Sequence, residues 1–338
     1  MLCVMSTERA VENMILSAGF KPTDRLVIIG DDSIKLAAEG LAKGAEPLVA
    51  RCTAFNLDRF GSRPLRVLPD EIRKSLDECD VLFVMVRAVA DAQTNELATV
   101  RRPVALHSDK IKHINLPGVT YDVLESAMQD DPREMWAFTQ RIYDAVHRAR
   151  EIVVRGANGT DARFRFAPHI KWVCSDGDYR EKFVPKGSNN LPGAEAYTAP
   201  ADAEGTFVVD GVLGDYLAGK YGVITPTPVT LTLQGGRITS VRSKRAELRE
   251  AVEKYIRTDA NANRIGEFAM GTNRSLKKLL GNMLHDEKFP SVHIAAGSPY
   301  SHVTGADWES DAHMDFITLD PTIEVDGRKI MEAGRYVI

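Results

Sequence analysis

The segment Val81–Val86 is apolar without interruption, and it restricts the possible folds more than any other part of the sequence. A strand that is apolar on both faces is typical of a parallel sheet covered by helices on both sides. Apolar, β-branched runs at 25–29 and 47–51 stand on either side of a helical pattern at 34–41, an order typical of a β-α-β unit. Residues 1–150 are therefore predicted to form an α/β domain with a mostly parallel sheet.

Near residue 150 the pattern changes from alternating strands and helices to paired strands. Residues 152–155 and 162–166 flank the dipeptide Asn158-Gly159, which predicts a hairpin. After a helix over 131–150, residues 151–338 are predicted to form a second, α+β domain that binds metal. Its further strands are predicted at 206–209, 230–233, 238–241, 292–295 and 313–319, and its helices at 246–257 and 275–284.

Charge and hydropathy exclude two classes of partner. Lys plus Arg total 43 against 47 for Asp plus Glu, and the net charge of -4 lacks the positive excess typical of nucleic-acid binding. No run approaches the roughly 18 to 20 apolar residues of a membrane helix, and the acidic Glu8 interrupts any apolar core of a signal peptide. We therefore expect a cytoplasmic protein that binds neither nucleic acid nor membranes.

Two common kinds of site are not predicted. Cys3, Cys52, Cys79 and Cys174 form no Cys-x-x-Cys pair, so neither a thiolate zinc site nor a disulfide framework is indicated, and we expect reduced cysteines in the core. The turn after the first strand has one glycine, Gly30, followed by two aspartates. This turn lacks the GxGxxG spacing of dinucleotide-binding folds and places negative charge where a pyrophosphate would bind.

Histidines and acids are concentrated near the end of the chain. His285, His293, His302 and His313 fall within 29 residues and are interleaved with carboxylates. Imidazole and carboxylate are the ligands that borderline or hard divalent metals bind when thiolates are absent. The alternation of a strand places His313 and Asp315 on one face, about 6.6 Å apart along the strand. We therefore expect this pair to line a metal site.

Two further carboxylates stand in segments that are otherwise small or apolar. Residues 190–195 read Asn-Leu-Pro-Gly-Ala-Glu and deliver Glu195 from a turn, and residues 264–271 place Glu267 among small and apolar neighbours. An ionised carboxylate is costly to bury unless it is paired or bound to a metal. Each acid alone is compatible with a helix cap or a salt bridge, whereas the whole set suggests a shared site.

These segments, taken in order, resemble the M29 family of metal-dependent aminopeptidases, the aminopeptidase T type. The resemblance covers residues 190–334. It consists of the Asn-Leu-Pro segment with its glutamate, Ile-Gly-Glu-Phe-Ala-Met-Gly-Thr-Asn at 265–273, Asp-Glu at 286–287, His-Ile-Ala-Ala-Gly at 293–297, a tyrosine at 300, His-Met-Asp at 313–315 and a hairpin around 326–334. The resemblance implies an active-site tyrosine, Tyr300, and six metal ligands: Glu195, Glu267, Glu287, His293, His313 and Asp315.

The resemblance also implies a mechanism and an assembly. Two divalent ions, zinc, cobalt or manganese, would activate a shared water. Tyr300 would donate to the oxyanion, and Glu195 or Glu267 would carry the proton to the leaving amine. The expected protein is a homodimeric aminopeptidase that acts on peptides or small aminoacyl amides. Glu267 is expected to bridge the ions, with Glu195 and Asp315 on one ion and Glu287, His293 and His313 on the other.

Other functions stay open on the same scaffold. A related branch contains mononuclear iron dioxygenases that open dihydroxypyridine rings; it has a histidine before the Ile-Gly pair and lacks the acids at the positions of Glu195 and Glu267. This sequence has Arg264 before Ile265 and retains both acids, which favours a dinuclear hydrolytic site. The remaining alternatives are a hydrolase of another small amide and a binding protein that has kept the scaffold without activity.

Overall fold

The computed structural model of the chain describes residues 2–87, 99–100, 110–181 and 189–338. The chain divides into two compact units, Met1–Glu134 with Gly177–Gly193, and Met135–Asp176 with Ala194–Ile338. Among the described residues no helix has the length and apolar character to span a membrane.

Strands and helices are numbered in chain order over the described residues. The strands are β1 (Arg25–Gly30), β2 (Arg51–Asn56), β3 (Val81–Val86), β4 (Lys112–Pro117), β5 (Glu151–Arg155), β6 (Asp161–Arg165), β7 (Val173–Ser175), β8 (Asn189–Asn190), β9 (Glu195–Thr198), β10 (Asp202–Val209), β11 (Val229–Gln234), β12 (Arg237–Ser243), β13 (Ile265–Gly271), β14 (Val292–Gly297), β15 (His313–Thr318), β16 (Thr322–Val325), β17 (Arg328–Glu332) and β18 (Arg335–Tyr336). The helices are α1 (Leu2–Ala18), α2 (Lys35–Ala45), α3 (Asp70–Asp77), α4 (Tyr121–Ala127), α5 (Pro132–Val146), α6 (Asp215–Tyr221), α7 (Ala246–Tyr255), α8 (Met283–Asp286) and α9 (Ser301–Thr304).

The first unit contains a five-stranded sheet in the order β2-β1-β3-β4-β8. Every pair of neighbouring strands in this sheet is parallel. The central strand β3 buries all of its residues, as expected for a strand covered on both faces. The predicted parallel sheet is confirmed.

One strand of this sheet is displaced from its predicted position. The predicted strand at 47–51 begins only at Arg51, because Pro47 lies in a 3-10 turn, Glu46–Leu48, that directly follows α2. Proline has no N–H to offer a neighbouring strand, and its fixed φ suits the first turn of a helix. Pro47 therefore continues α2 by one 3-10 turn, and β2 begins only after it.

The second unit contains two antiparallel sheets. One has eight strands in the order β12-β11-β10-β6-β5-β16-β17-β18, and the other has five in the order β15-β14-β13-β9-β7. One apolar cluster joins the inner faces of the two sheets, with Phe164 from β6 and Phe268 from β13 at 4.8 Å between ring centroids. The predicted hairpin at Asn158-Gly159 is confirmed by the pairing of β5 with β6, and the turn at Asp326-Gly327 joins β16 to β17.

The boundary between the units differs from the predicted boundary near residue 150. Helix α5 contributes Phe138, Ile142 and Val146 to the core of the second unit, so the chain from Met135 onward belongs there. Gly177–Gly193 returns to the first unit, where Asn189 of β8 pairs with Ile114 of β4. The division follows these long-range contacts, which no local pattern in the sequence indicates.

The prediction of a helix over 275–284 is wrong. Only Met283–Asp286 is helical, and the preceding residues form a loop. The buried carboxylate of Asp286 accepts hydrogen bonds from the backbone N–H groups of Leu280, Gly281 and Asn282, at 2.8, 2.8 and 3.1 Å. These bonds satisfy the backbone of a non-helical turn, and they outweigh the helical periodicity of the segment.

The cysteines that the structure describes carry free thiols. Cys79 is buried two residues before β3, whereas Cys52 and Cys174 are half-buried. The expectation of reduced cysteines holds for these three, and Cys79 alone among them is a core residue. The side chain of Cys3 lies outside the described residues.

Candidate metal centre

Five of the predicted ligands lie on one face of the sheet β15-β14-β13-β9. Opposite residues, and residues two apart on one strand, share a face. The register aligns Glu267, Ala295 and Asp315 across three strands, and it pairs Ala269 with His293, Gly271 with Glu195 and Gly297 with His313. Between the charged side chains this face carries Ala269 and Ala295, with Ile317 opposite His293 and Tyr197 opposite Ala269. The two alanines take up little space above the sheet, while the opposite face packs into the core.

Glu267 stands at the centre of the cluster. Its Oε1 atom lies 3.4 Å from His293 Nε2, and its Oε2 atom lies 3.5 Å from His313 Nε2. His293 Nε2 is also 3.5 Å from Glu195 Oε2, and His313 Nε2 is 3.5 Å from Asp315 Oδ1. Each oxygen of Glu267 thus faces a different histidine, and each histidine has a second carboxylate. This is the arrangement of a carboxylate that can bridge two ions.

The potential donor atoms fall into three groups, each with all of its atoms within 4.8 Å of one another. The groups are Glu195, Glu267 and His293; Glu267, His313 and Asp315; and Glu287, His293 and Asp315. All six predicted ligands are brought together. The predicted allocation differs, because it placed Glu195 beside Asp315 and His313 beside His293. The strand order explains the difference, since β15 and β9 are the strands farthest apart among the four.

A buried lysine, which sequence reasoning missed, lies beside two of these carboxylates. Lys288 is completely buried, and its Nζ atom lies 2.6 Å from Glu195 Oε1 and 2.7 Å from Glu287 Oε1. A signal existed in the sequence, because a cation directly follows the Asp-Glu pair. The polar residues His285, Asp286 and Glu287 directly before it gave no reason to expect that its charge is buried.

Mutual charge sets the protonation of the cluster. Burial lowers the pKa of both histidines, but the carboxylates outweigh it: Glu267 raises the pKa of His293 to about 9, and Asp315 raises that of His313 to about 10. Burial raises the pKa of Glu287 to about 8, against the opposing charge of Lys288. Burial also lowers the pKa of Lys288, yet its two carboxylates hold that pKa above its usual range. The chain without metal therefore retains protons on its ligands.

Tyr300 lies at the edge of the cluster. Its ring centroid is 4.6 Å from that of His313 and 6.2 Å from that of Tyr197. The residue has φ 50° and ψ 53°, a left-handed conformation that is uncommon for a bulky side chain, and it stands directly before α9. The structure thus brings the predicted tyrosine next to a predicted ligand.

Two neighbouring histidines lie outside the donor groups of the described residues. His285 is buried, and its Nδ1 atom is 2.7 Å from Asp286 Oδ1, so this pair is occupied in holding the loop before α8. His302 is exposed, and its ring lies 6.5 Å from that of Tyr300. Neither residue belongs to a potential donor group among the described residues.

The donors fit divalent metal ions. Within the described part of the chain, both ring nitrogens of the buried His293 lack a hydrogen-bond partner. Buried polar atoms without partners are rare, and they call for a ligand or an ion. The nitrogen and carboxylate donors, without thiolate, suit zinc, cobalt or manganese better than a soft metal.

Residues 125–337 match the model of the thermophilic metalloprotease (M29) family. The chain belongs to this family. Among curated proteins it is similar to aminopeptidase AmpS from Bacillus subtilis (strain 168), with 26% identity over 223 residues, which cover 59% of this chain and 52% of that protein. The chain thus spans about half the length of this curated relative.

Two solved structures have a similar fold along the whole chain. AmpT from Thermus thermophilus has a TM-score of 0.73 at 17% identity and covers 99% of both chains. The 2,5-dihydroxypyridine dioxygenase from Pseudomonas putida KT2440 has a TM-score of 0.67 at 16% identity, covering 99% of this chain and 96% of that one. At such identities the likeness concerns the fold, so the choice between the two chemistries depends on the residues of the site.

Proposed function

We propose that the protein is a metal-dependent aminopeptidase that removes the N-terminal residue of peptides or small aminoacyl amides by means of two divalent ions. The observation that carries the proposal is the position of Glu267, whose two oxygens face two different histidines. A site for a single ion has no need of a carboxylate shared in this way. The similarity to an aminopeptidase over more than half of the chain supports the same reading.

The proposed allocation of ligands follows the donor groups. One ion would be held by Glu195, Glu267 and His293, and the other by Glu267, His313 and Asp315. Glu287 shares a donor group with His293 of the first ion and Asp315 of the second. Ions held in this way would lower the pKa of a water molecule towards neutrality and polarise the scissile carbonyl.

The side chains of the site have distinct parts in the reaction. Tyr300, next to His313, offers a phenolic O–H to the oxygen that gains negative charge in the tetrahedral state. A carboxylate must move a proton from the attacking water to the leaving amine. Glu195 and Glu267 are the two candidates for this role, since both lie in the donor group of the first ion.

Arg264, Glu195 and Glu267 separate this proposal from ring cleavage by an iron dioxygenase. Both acids lie within the donor groups, and an arginine stands where that branch has a histidine. The guanidinium of Arg264 lies 3.5 Å over the ring of Trp308. The retained carboxylates favour hydrolysis.

The decisive experiment combines elemental analysis with a panel of aminoacyl amides, assayed before and after chelation. Two zinc, cobalt or manganese ions per chain, with chelator-sensitive release of the N-terminal residue, would support the proposal. Glu267→Gln should lose both metal and activity, while the control His302→Ala should keep both. One iron per chain with oxygen uptake and no amide hydrolysis would instead indicate the dioxygenase, and metal without any turnover would indicate a binding protein.

A homodimer and a cytoplasmic location complete the proposal. Both come from the resemblance and the composition. Analytical ultracentrifugation of the purified chain tests the dimer, and cell fractionation tests the location.

A further inference from the structure

Lys288 is the feature of the site that the proposed reaction does not use. Its ammonium group is fully buried, and it contacts one carboxylate oxygen of Glu195 and one of Glu287. A buried ammonium is strongly unfavourable unless its charge and its hydrogen bonds are satisfied. The two carboxylates satisfy the charge, so Lys288 is a built-in cation within the cluster of acids.

The backbone around Lys288 holds this cation in place. The N–H of Lys288 donates to His285 O at 3.1 Å, and its carbonyl accepts from Asn273 N at 2.9 Å. Gly271 of β13 lies directly against the turn: a methyl group at its Cα would stand 2.7 Å from Glu287 O and 2.8 Å from Lys288 C. The turn is therefore pressed against the strand, and its lysine has little freedom to move away.

This contact divides the oxygens of the two carboxylates. Glu195 Oε1 receives the ammonium at 2.6 Å, whereas Glu195 Oε2 faces His293 Nε2 at 3.5 Å. Glu287 likewise has its Oε1 atom on Lys288. The positive ammonium at this distance repels a divalent cation from the same oxygen. Each carboxylate is thus left with one oxygen for an ion.

We propose that Lys288 is a positioning residue of the metal centre: it restricts Glu195 and Glu287 to one ligating oxygen each and keeps coordination positions open for substrate and water. This inference rests on the proposed function. Catalytic metal sites need an open position, and a carboxylate that binds through both oxygens would fill it. Without the ammonium the acids would also carry one more uncompensated negative charge, which strengthens binding of a divalent cation.

The test is a cobalt titration of the metal-free chain in three forms: wild type, Lys288→Met and Lys112→Met. Lys112 is a matched control, because it is a half-buried lysine that donates to a backbone carbonyl, Ala18 O, in the first unit. Calorimetry gives the affinity and the stoichiometry. The visible absorption of bound Co²⁺ reports its coordination number, because cobalt with fewer ligands absorbs more strongly.

In Lys288→Met we expect about tenfold tighter binding of Co²⁺ from the lost positive charge. Visible absorption per bound ion should fall by about half or more, because the carboxylates then bind through both oxygens. The gain in melting temperature on adding Co²⁺ should exceed that of wild type. Lys112→Met should lose some stability and keep the wild-type affinity and spectrum. Lys288→Gln removes the charge but keeps an N–H donor. If the methionine variant does not fold, the same cobalt titration is made with this variant.

The outcomes separate the inference from the proposed function. A wild-type cobalt spectrum in the Lys288 variants overturns the positioning role, whatever the affinity, and leaves the metal centre intact. A wild-type chain that takes up no cobalt overturns the metal centre, and the role of Lys288 with it. A lower melting temperature with unchanged affinity and spectrum shows that Lys288 is only structural.

Discussion

The substitution Gly271→Ala tests how closely the ligand-bearing turn lies against the sheet. An added methyl group would stand 2.7 Å from Glu287 O and 2.8 Å from Lys288 C, with Phe289 O closer still. Real Cβ atoms essentially never approach another atom within 3.0 Å. All three obstacles are backbone atoms, so no side-chain rotation relieves the clash. The strand or the whole turn must move.

The expected cost is at the upper end of the range for overpacked sites, about 3 kcal/mol. For a unit of this size, each kcal/mol corresponds to about 2–4 °C, so the melting temperature should fall by about 6–12 °C. Thermal unfolding of the metal-free chain, followed by circular dichroism, measures this shift without any contribution from bound ions.

Gly219→Ala is the matched control. Gly219 lies within α6, and no described atom stands within 4 Å of the position of an added methyl group. Alanine is favoured over glycine inside a helix by about 1 kcal/mol, so this variant should melt at or slightly above the wild-type temperature. If Gly271→Ala also melts within about 2 °C of wild type, the turn is more yielding than the close backbone contacts imply, and the argument from packing fails.

Five further predictions concern the site and the core. His313→Ala should lower amide hydrolysis at least about 100-fold and leave the chain folded, as checked by circular dichroism, whereas His302→Ala should retain activity in the same assay. Tyr300→Phe should lower kcat about 10²–10³-fold at unchanged metal content, as measured by steady-state kinetics and elemental analysis. At pH 7 the metal-free chain holds protons on His293, His313 and Glu287, so metal uptake by these three ligands should release about three protons per chain, measured by calorimetry in buffers of different ionisation enthalpy. The pKa values of His293 and His313, about 9 and 10, exceed the ordinary 6.5, so the stability that their protonation gives to the folded, metal-free chain is complete below pH 6.5. This stability is lost as the pH rises towards 10, and denaturant titrations at a series of pH values should show the fall. Burial raises the pKa of Cys79 to about 12, so this thiol should be the slowest of the described cysteines to react with a thiolate-directed reagent at pH 8.

Local patterns predicted the elements on which the site depends. The uninterrupted run Val81–Val86 predicted a buried strand in a parallel sheet, and the alternation at 313–315 predicted two donors on one face. The structure confirms the strand and the shared face, because successive side chains of a strand point to opposite faces, so the sequence pattern shows which faces are buried. The family resemblance, confirmed by the match over 125–337, supplied the remaining donors.

Other features could not be predicted, because they depend on contacts between distant segments. The segment 275–282 forms a loop because the carboxylate of Asp286 accepts hydrogen bonds from three of its backbone N–H groups. These bonds replace the hydrogen bonds of the helix that the periodicity predicts. The return of Gly177–Gly193 to the first unit depends on a two-residue strand, β8, that is too short to leave a signal. The buried state of Lys288 depends on acids that lie on two separate segments.

The sequence by itself determined which side chains could act together. Strand alternation places His313 and Asp315 on one face, and the order of the motifs, through the family resemblance, selects the other donors. Tertiary structure alone decided which carboxylate faces which histidine. That choice depends on the order β15-β14-β13-β9, in which Glu267 lies between His293 and Glu195 while Asp315 remains next to His313. Strand order is set by the packing of the whole sheet, and no single segment encodes it.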